Sequence, residues 1–244
     1  MKSFLVIITA LLSLQVTNAQ WWGSSEKVKG NGNVITADRV TEDYDGVSVA
    51  GSFDVELVAG SEGKLTIKAE ENLIPHLETE VVGGILKINP EKGYNLVPSR
   101  GNKIFITVPV EEISKVSLAG SGDVVSKTTL KSKNLKASLA GSGDIKLMLD
   151  ATNVEGSIAG SGDIQLEGTT TNFECSIAGS GDVDAYGLKA ENVEVSIAGS
   201  GNAKVYCDGN LKASLVGSGD LIYKGNPKKE DSKALGSGDI RKAG

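Results

Sequence analysis

One eight-residue phrase, Ser176-Ile177-Ala178-Gly179-Ser180-Gly181-Asp182-Val183, recurs through the second half of this 244-residue chain. Copies run from Ser117 to Val124, Ser138 to Ile145, Ser157 to Ile164, Ser196 to Ala203 and Ser214 to Leu221, with a shortened one from Leu235 to Ile240. The first glycines of the copies are Gly120, Gly141, Gly160, Gly179, Gly199, Gly217 and Gly236, at steps of 21, 19, 19, 20, 18 and 19 residues. A repeat of about 20 residues is the mark of a solenoid, in which each unit buries its apolar side only against its neighbours.

The residues between the copies say what kind of unit it is. Around Gly199, Val193, Val195 and Ile197 alternate with Glu194, Ser196 and Ala198, and beyond the glycines Ala203 and Val205 alternate with Lys204 and Tyr206. The inward set recurs as Leu135, Ala137, Leu139 with Ile145, Leu147, Leu149, and as Phe173, Cys175, Ile177 with Val183, Ala185. A period of two on both sides of a glycine corner predicts two strands per coil, each with one buried face. Thirty-one glycines against four Phe, five Tyr and two Trp fit many turns around a core of small aliphatics. Like residues recur in the same chain direction, so the strands stack in parallel. The expected fold is all-β, a right-handed parallel β-helix with coils of about 18–21 residues and a more irregular β-rich N-terminal half.

Stacking sorts the repeat into columns. Asp123, Asp144, Asp163, Asp182, Asn202, Asp220 and Asp239 form one. Neighbouring charges about 4.8 Å apart repel by roughly 3–4 kcal/mol at an effective dielectric of 20, and by about 1 kcal/mol in water. The column must therefore be solvated, hydrogen-bonded to turn N–H groups as Asx-type caps, or neutralised by a cation. One acid per corner is far from the six to eight oxygens calcium takes, so capping is the favoured reading. A second column, Asn134, Asn153, Asn172, Asn192 and Asn210, lies seven residues before each repeat glycine. Its expected place is a second turn, where Asn tolerates left-handed geometry and can bond to its own backbone or to the Asn one coil away.

The N-terminal half is less regular. Gly30-Asn31-Gly32-Asn33-Val34 and Gly51-Ser52-Phe53-Asp54-Val55 have the shape of degenerate copies, 21 residues apart, and the next 69 residues hold none. Within that interval Val55-Leu57, Leu65-Ile67, Ile85 to Ile88 and Ile104 to Val108 read as half-buried strands. Glu71 to Leu77, with Pro75 inside it, is short enough for one helical turn. At the start of the chain, Lys2, an apolar run from Phe4 to Leu14 and Val16-Thr17-Asn18-Ala19 read as a secretory signal (residues 1–19) cleaved after Ala19. Residues 20–29, with Trp21-Trp22, are expected to be a flexible arm; residues 30–115 are the irregular half and 116–241 the regular coils. No run is apolar and long enough to span a bilayer, and no cysteine near the cleavage point offers a lipid anchor.

Few functional classes survive. Net charge is −6 and the Lys and Arg residues are dispersed, which excludes a nucleic-acid partner. Cys175 and Cys207 fall in different columns and are not expected to bridge, although export would permit it. His76 is the single histidine and has no Cys beside it in sequence. The sequence thus names no catalytic, cofactor-binding or metal-ligating residue. Gly-Ser-Gly is a repeated corner rather than a single nucleophile elbow.

At Asp45-Gly46-Val47-Ser48-Val49-Ala50-Gly51-Ser52, at Glu71-Asn72-Leu73 and at the serial Ala-Gly-Ser-Gly-Asp copies, the chain resembles the bacterial head GIN family of auto-transporter adhesins. The resemblance runs from about Val28 to Ile240. It implies secreted, all-β proteins with a β-helical body and a role in adhesion, and it carries over no catalytic residue. The expected function is an exported, non-enzymatic β-solenoid that binds a protein or glycan at the cell surface or in the periplasm, with self-association open to it. The rival readings are a carbohydrate-active β-helix enzyme, which needs two acids about 5–10 Å apart in a cleft, and a calcium-dependent assembly module.

Overall fold

Period-two patterning does build a parallel stack. In a computed structural model that describes residues 25–244, 71% of the described residues are strand, wound into a β-solenoid of about seven turns. The first nine strands are β1 (Glu26–Lys29), β2 (Val34–Val40), β3 (Gly46–Gly51), β4 (Asp54–Ala59), β5 (Lys64–Glu70), β6 (Leu77–Val82), β7 (Ile85–Pro90), β8 (Tyr94–Val97) and β9 (Phe105–Val110). The repeats then supply β10 (Lys115–Gly120), β11 (Asp123–Gly141), β12 (Asp144–Gly160), β13 (Ile164–Gly179), β14 (Val183–Gly199), β15 (Ala203–Gly217), β16 (Leu221–Lys224), β17 (Lys229–Gly236) and β18 (Ile240–Lys242). From β10 to β18 every pairing is parallel, and like lies on like: Ser138 on Ser157, Ser176, Ser196 and Ser214, and Ile158 on Ile177 and Ile197. The side chains of Leu139, Ile158, Ile177, Ile197 and Leu215 make one fully buried column of the core.

The expected two strands per coil, parted by an Asn turn, are instead one. Each of β11 to β15 runs unbroken from just after the glycine corner, past the Asn, to the next glycine, over 15 to 19 residues. No described residue other than glycine has a positive φ, so the Asn column does not use left-handed geometry. The strand continues through this point, although the residue just before the Asn (Lys133, Thr152, Thr171 and Glu191) has no partner in the ladder.

The glycine corner is fixed by two different requirements. The first glycine of each copy has φ between 128° and 147°, a region closed to L side chains. The second has an ordinary φ but no room: at Gly181 a Cβ would lie 2.1 Å from the carbonyl oxygen of Gly162, and at Gly162 1.9 Å from that of Gly143. At the lower end of this column Phe53 replaces the second glycine, and its buried ring fills the corner against Gly51.

The irregular half is where the sequence order and the stacking order part. Gly51 lies directly beneath Gly120, 69 residues later, and Ser52 Oγ meets Ser121 Oγ at 3.0 Å. The coil of β3 and β4 is thus covered above by β10 and β11 and below by β7 and β9, all in parallel register. Antiparallel strands then end the stack: β6 on β7, and β5 with β2 beyond β9. The turn expected between Glu71 and Leu77 is a 3-10 turn at Ile74–His76.

Two expectations need correction in this half. Gly30-Asn31-Gly32-Asn33 is not a degenerate coil corner, because Val34 opens a strand antiparallel to β5. The loop instead wraps the buried carboxylate of Glu70, which accepts the Gly32 N–H at 2.6 Å and the Ser99 N–H at 2.8 Å. Asn72 completes the clasp by accepting the Asn31 N–H at 2.9 Å and donating to the Lys29 carbonyl at 2.7 Å. Within the arm expected over residues 20–29, Glu26–Lys29 is ordered as β1, parallel to β8. The leader and Trp21-Trp22 lie outside the described residues.

The two ends of the stack differ. Where β15 buries Leu211, Ala213 and Leu215, β17 has Glu230, Ser232 and Ala234 in register, all exposed. Glu230 accepts the Tyr223 hydroxyl at 2.9 Å. A last coil that carries a carboxylate where its neighbour carries Leu protects an open edge against further stacking.

Candidate functional site

Because every coil repeats its neighbour, what the surface offers is rows. The Asp row is held by backbone. The N–H of Asp163 donates to Asp144 Oδ1 (3.3 Å), Asp182 to Asp163 (2.9 Å), Asn202 to Asp182 (2.7 Å), Asp220 to Asn202 (3.0 Å) and Asp239 to Asp220 (2.9 Å). Asp144, Asp163, Asp182 and Asp220 thus cap the coil above, while the last, Asp239, accepts the N–H of its neighbour Ile240 at 2.9 Å. The main chain answers in the opposite sense, since the N–H groups of Ile145, Ile164, Val183, Ala203 and Leu221 donate to the carbonyls of Asp163, Asp182, Asn202, Asp220 and Asp239. Aligned N–H donors are what a row of like charges needs to stand at this spacing. At Asn202 the side-chain amide also donates to Asp182 Oδ1 at 3.0 Å, which puts a neutral link in the row. Among the described residues no three His, Cys, Asp or Glu side chains converge in a way that could hold a metal ion.

The Asn column forms a second row. Asn153 donates to Asn134 (2.7 Å), Asn172 to Asn153 (2.7 Å), Asn192 to Asn172 (2.9 Å) and Asn210 to Asn192 (2.6 Å). Each amide has two N–H donors and two acceptor positions on oxygen, so part of its capacity still faces outward. Two residues further on, sequence reading overlooked a charged row: Lys136, Glu155, Glu174, Glu194 and Lys212. Lys136 pairs with Glu155, and Lys212 with Glu194 at 2.6 Å. The signal was present as Asn-x-Lys or Asn-x-Glu in successive repeats. Between these two rows runs a shallow trough of about 680 Å³.

A second trough, of about 460 Å³, runs between the Ser row (Ser117, Ser138, Ser157, Ser176) and the Ala row (Ala119, Ala140, Ala159, Ala178). These outward side chains are the small residues of the repeat phrase. Their row ends in larger, exposed groups, Val216 and Leu235.

The single histidine has a structural setting. Its Nδ1 lies 2.7 Å from Glu91 Oε2 and its ring centroid 4.3 Å from that of Tyr94, which ties the 3-10 turn to the segment after β7. Cys175 and Cys207 are both free and buried. They occupy different columns, as expected, with Cys175 stacked on Gly156 and Val195 and Cys207 beside Ala190. Burial pushes the Cys175 thiol up to about 12, so it stays protonated and inert at neutral pH.

The family described as "Putative auto-transporter adhesin, head GIN domain" matches residues 43–227. The chain belongs to the head GIN family. A crystal structure of a "putative lipid binding protein" from Parabacteroides distasonis is 32% identical, with a TM-score of 0.74, over 90% of this head GIN chain and 100% of that one. A "putative adhesin" from Bacteroides fragilis, 24% identical, has a TM-score of 0.79 over 88% of this chain and all (100%) of that one. A "putative adhesin" from Parabacteroides merdae, also 24% identical, has a TM-score of 0.69 over 90% and 100%. At that identity the last two show the fold alone. No curated protein matches significantly. No described helix is long and apolar enough to cross a membrane.

Proposed function

We propose that this head GIN protein is an exported, non-enzymatic adhesin, a rigid scaffold that displays rows of like side chains to an extended ligand. The observation that carries the reading is the register itself: Asn, Ser, Ala and charged residues each recur at the coil spacing along one continuous wall. A catalytic centre is needed once, whereas these features occur in every coil. The family match supports the adhesin class, and the apolar run before Ala19 supports export. The test is a screen of the mature chain, from Gln20, against bacterial and host cell surfaces and a glycan array. Saturable binding to either is expected, and a complete lack of binding to both overturns the reading.

A second reading has its own support. The trough between the Ser and Ala rows is apolar and straight, and the 32% identical relative is described as lipid binding. Retention of a labelled fatty acid, lost on Ala159→Lys, would favour lipid over glycan or protein.

A further inference from the structure

The last coils carry a face unlike the rest. On the strand after the glycine corner, Lys146 and Gln165 give way in register to Asp184, Lys204, Ile222 and Arg241. Beside this row stand two half-buried tyrosines, Tyr186 and Tyr206, with Lys224 in register above Tyr206. The Lys224 ammonium lies 4.1 Å over the centre of the Tyr186 ring. The Tyr206 hydroxyl donates to Asp208 Oδ2 at 2.9 Å, which fixes the tip of its side chain. Among the described residues none of Lys204, Lys224 and Arg241 is ion-paired, whereas Lys64, Lys103, Lys127, Lys136 and Lys212 are.

We propose that this face binds an acidic polysaccharide, with sugar-ring carboxylates paired to Lys204, Lys224 and Arg241 and a pyranose face laid on Tyr206. The proposal rests on the adhesin reading and names its ligand class. Cation–carboxylate contacts are charge-assisted and directional, and a tyrosine ring gives an apolar surface with a polar rim that suits a sugar. The cations stand on coils about 4.8 Å apart, so they suit a polymer that repeats its carboxylates rather than a single small anion. These residues stand on successive strands of one parallel sheet, so a polymer would lie across the strands. A lipid membrane fits less well, since Ile222, the aliphatic between Lys204 and Arg241, is half-buried.

The test is affinity electrophoresis of the mature chain through gels containing polygalacturonate, alginate or dextran, with flotation on phosphatidylglycerol vesicles alongside. Retention by at least one uronate polymer, weakened by salt, and none by dextran is expected. K224E/R241E should weaken retention about tenfold or more, and Tyr206→Ala severalfold, while Lys68→Glu on the other half of the molecule has no effect. Melting curves check that each variant folds. Should the double variant fail to fold, Lys204→Gln carries the same expectation in milder form. Unchanged retention of the folded variants, no retention on either uronate polymer, or binding to the vesicles instead overturns the proposal. If the wild type binds cells and K224E/R241E binds them equally, this site falls and the adhesin reading stands. If the wild type binds neither cells nor any glycan, both fall.

Discussion

Gly181→Ala isolates the close approach between coils, because the backbone at this position lies outside the positive-φ region and accepts an L residue. The added Cβ would sit 2.1 Å from the Gly162 carbonyl oxygen and 3.0 Å from Ile158 Cγ2, and the first of these is backbone that cannot rotate away. Relief requires the corner to lift, which stretches the bonds from the Ser180 and Gly181 N–H groups to the Gly160 carbonyl, now 2.9 and 3.2 Å. Overpacking of this kind costs about 1–3 kcal/mol, and two weakened hydrogen bonds add on the order of 1–2 kcal/mol. Loss of glycine's freedom in the unfolded chain offsets up to about 1 kcal/mol. The expected net loss is about 2–4 kcal/mol, or on the order of 10 °C in Tm for a chain of this size, read by circular dichroism. Ser180→Ala, in the same corner but exposed, should stay within about 0.5 kcal/mol. If Gly181→Ala melts no lower than Ser180→Ala, the second glycine is not there for want of space.

Three further outcomes can be checked. Asp163→Asn keeps the acceptor for the Asp182 N–H, as Asn202 does for Asp220, and should leave Tm nearly unchanged, while Asp163→Ala loses about 1 kcal/mol; because backbone donors already compensate the row, EDTA or calcium should not move the midpoint. Cys175 should resist a thiol-reactive dye in the native protein and react only after denaturation, and a fast native reaction would contradict its burial. Hydrogen bonds from Ser99 and Gly32 hold the Glu70 carboxyl below its usual range. A depressed folded-state value means that the stabilisation is complete above the ordinary Glu range and disappears as pH falls through the lowered value. Glu70→Gln should therefore be less stable than wild type at neutral pH and show a flatter acid limb in urea unfolding, and an unaltered limb would refute the clasp.

The regular coils were legible because each of their constraints is local and repeated. Ser176 to Val183 states its own register, its inward residues and its corner, and the next copy states them again. The Asn and Asp columns could be placed from spacing alone, and so could the Asn–Asn bonds between coils, but the partners of the Asp column could not: that Asp163 caps the coil above depends on how neighbouring corners are offset, which one repeat does not encode. Gly30-Asn31-Gly32-Asn33 misled because the same composition serves any tight turn, and only the distant carboxylate of Glu70 decides which turn it makes. The Tyr206 and Lys224 face escaped notice for a related reason. It is assembled from single departures in successive repeats, and reading along a repeat hides what stacking across repeats brings together.

The coil that holds Gly51 also has a mechanical meaning. Its strands lie between two layers that are both encoded later in the chain, and 69 residues separate Gly51 from the glycine that covers it. An ordinary solenoid pulled from its first turn can shed coils one after another. Here, a pull directed along β3 and β4 meets parallel ladders on both sides, whose bonds are loaded in shear and must yield together. The base of the stack is thus an anchor that resists unravelling from the N-terminal side, whereas the last coil, held on one side only, is where fraying under load begins.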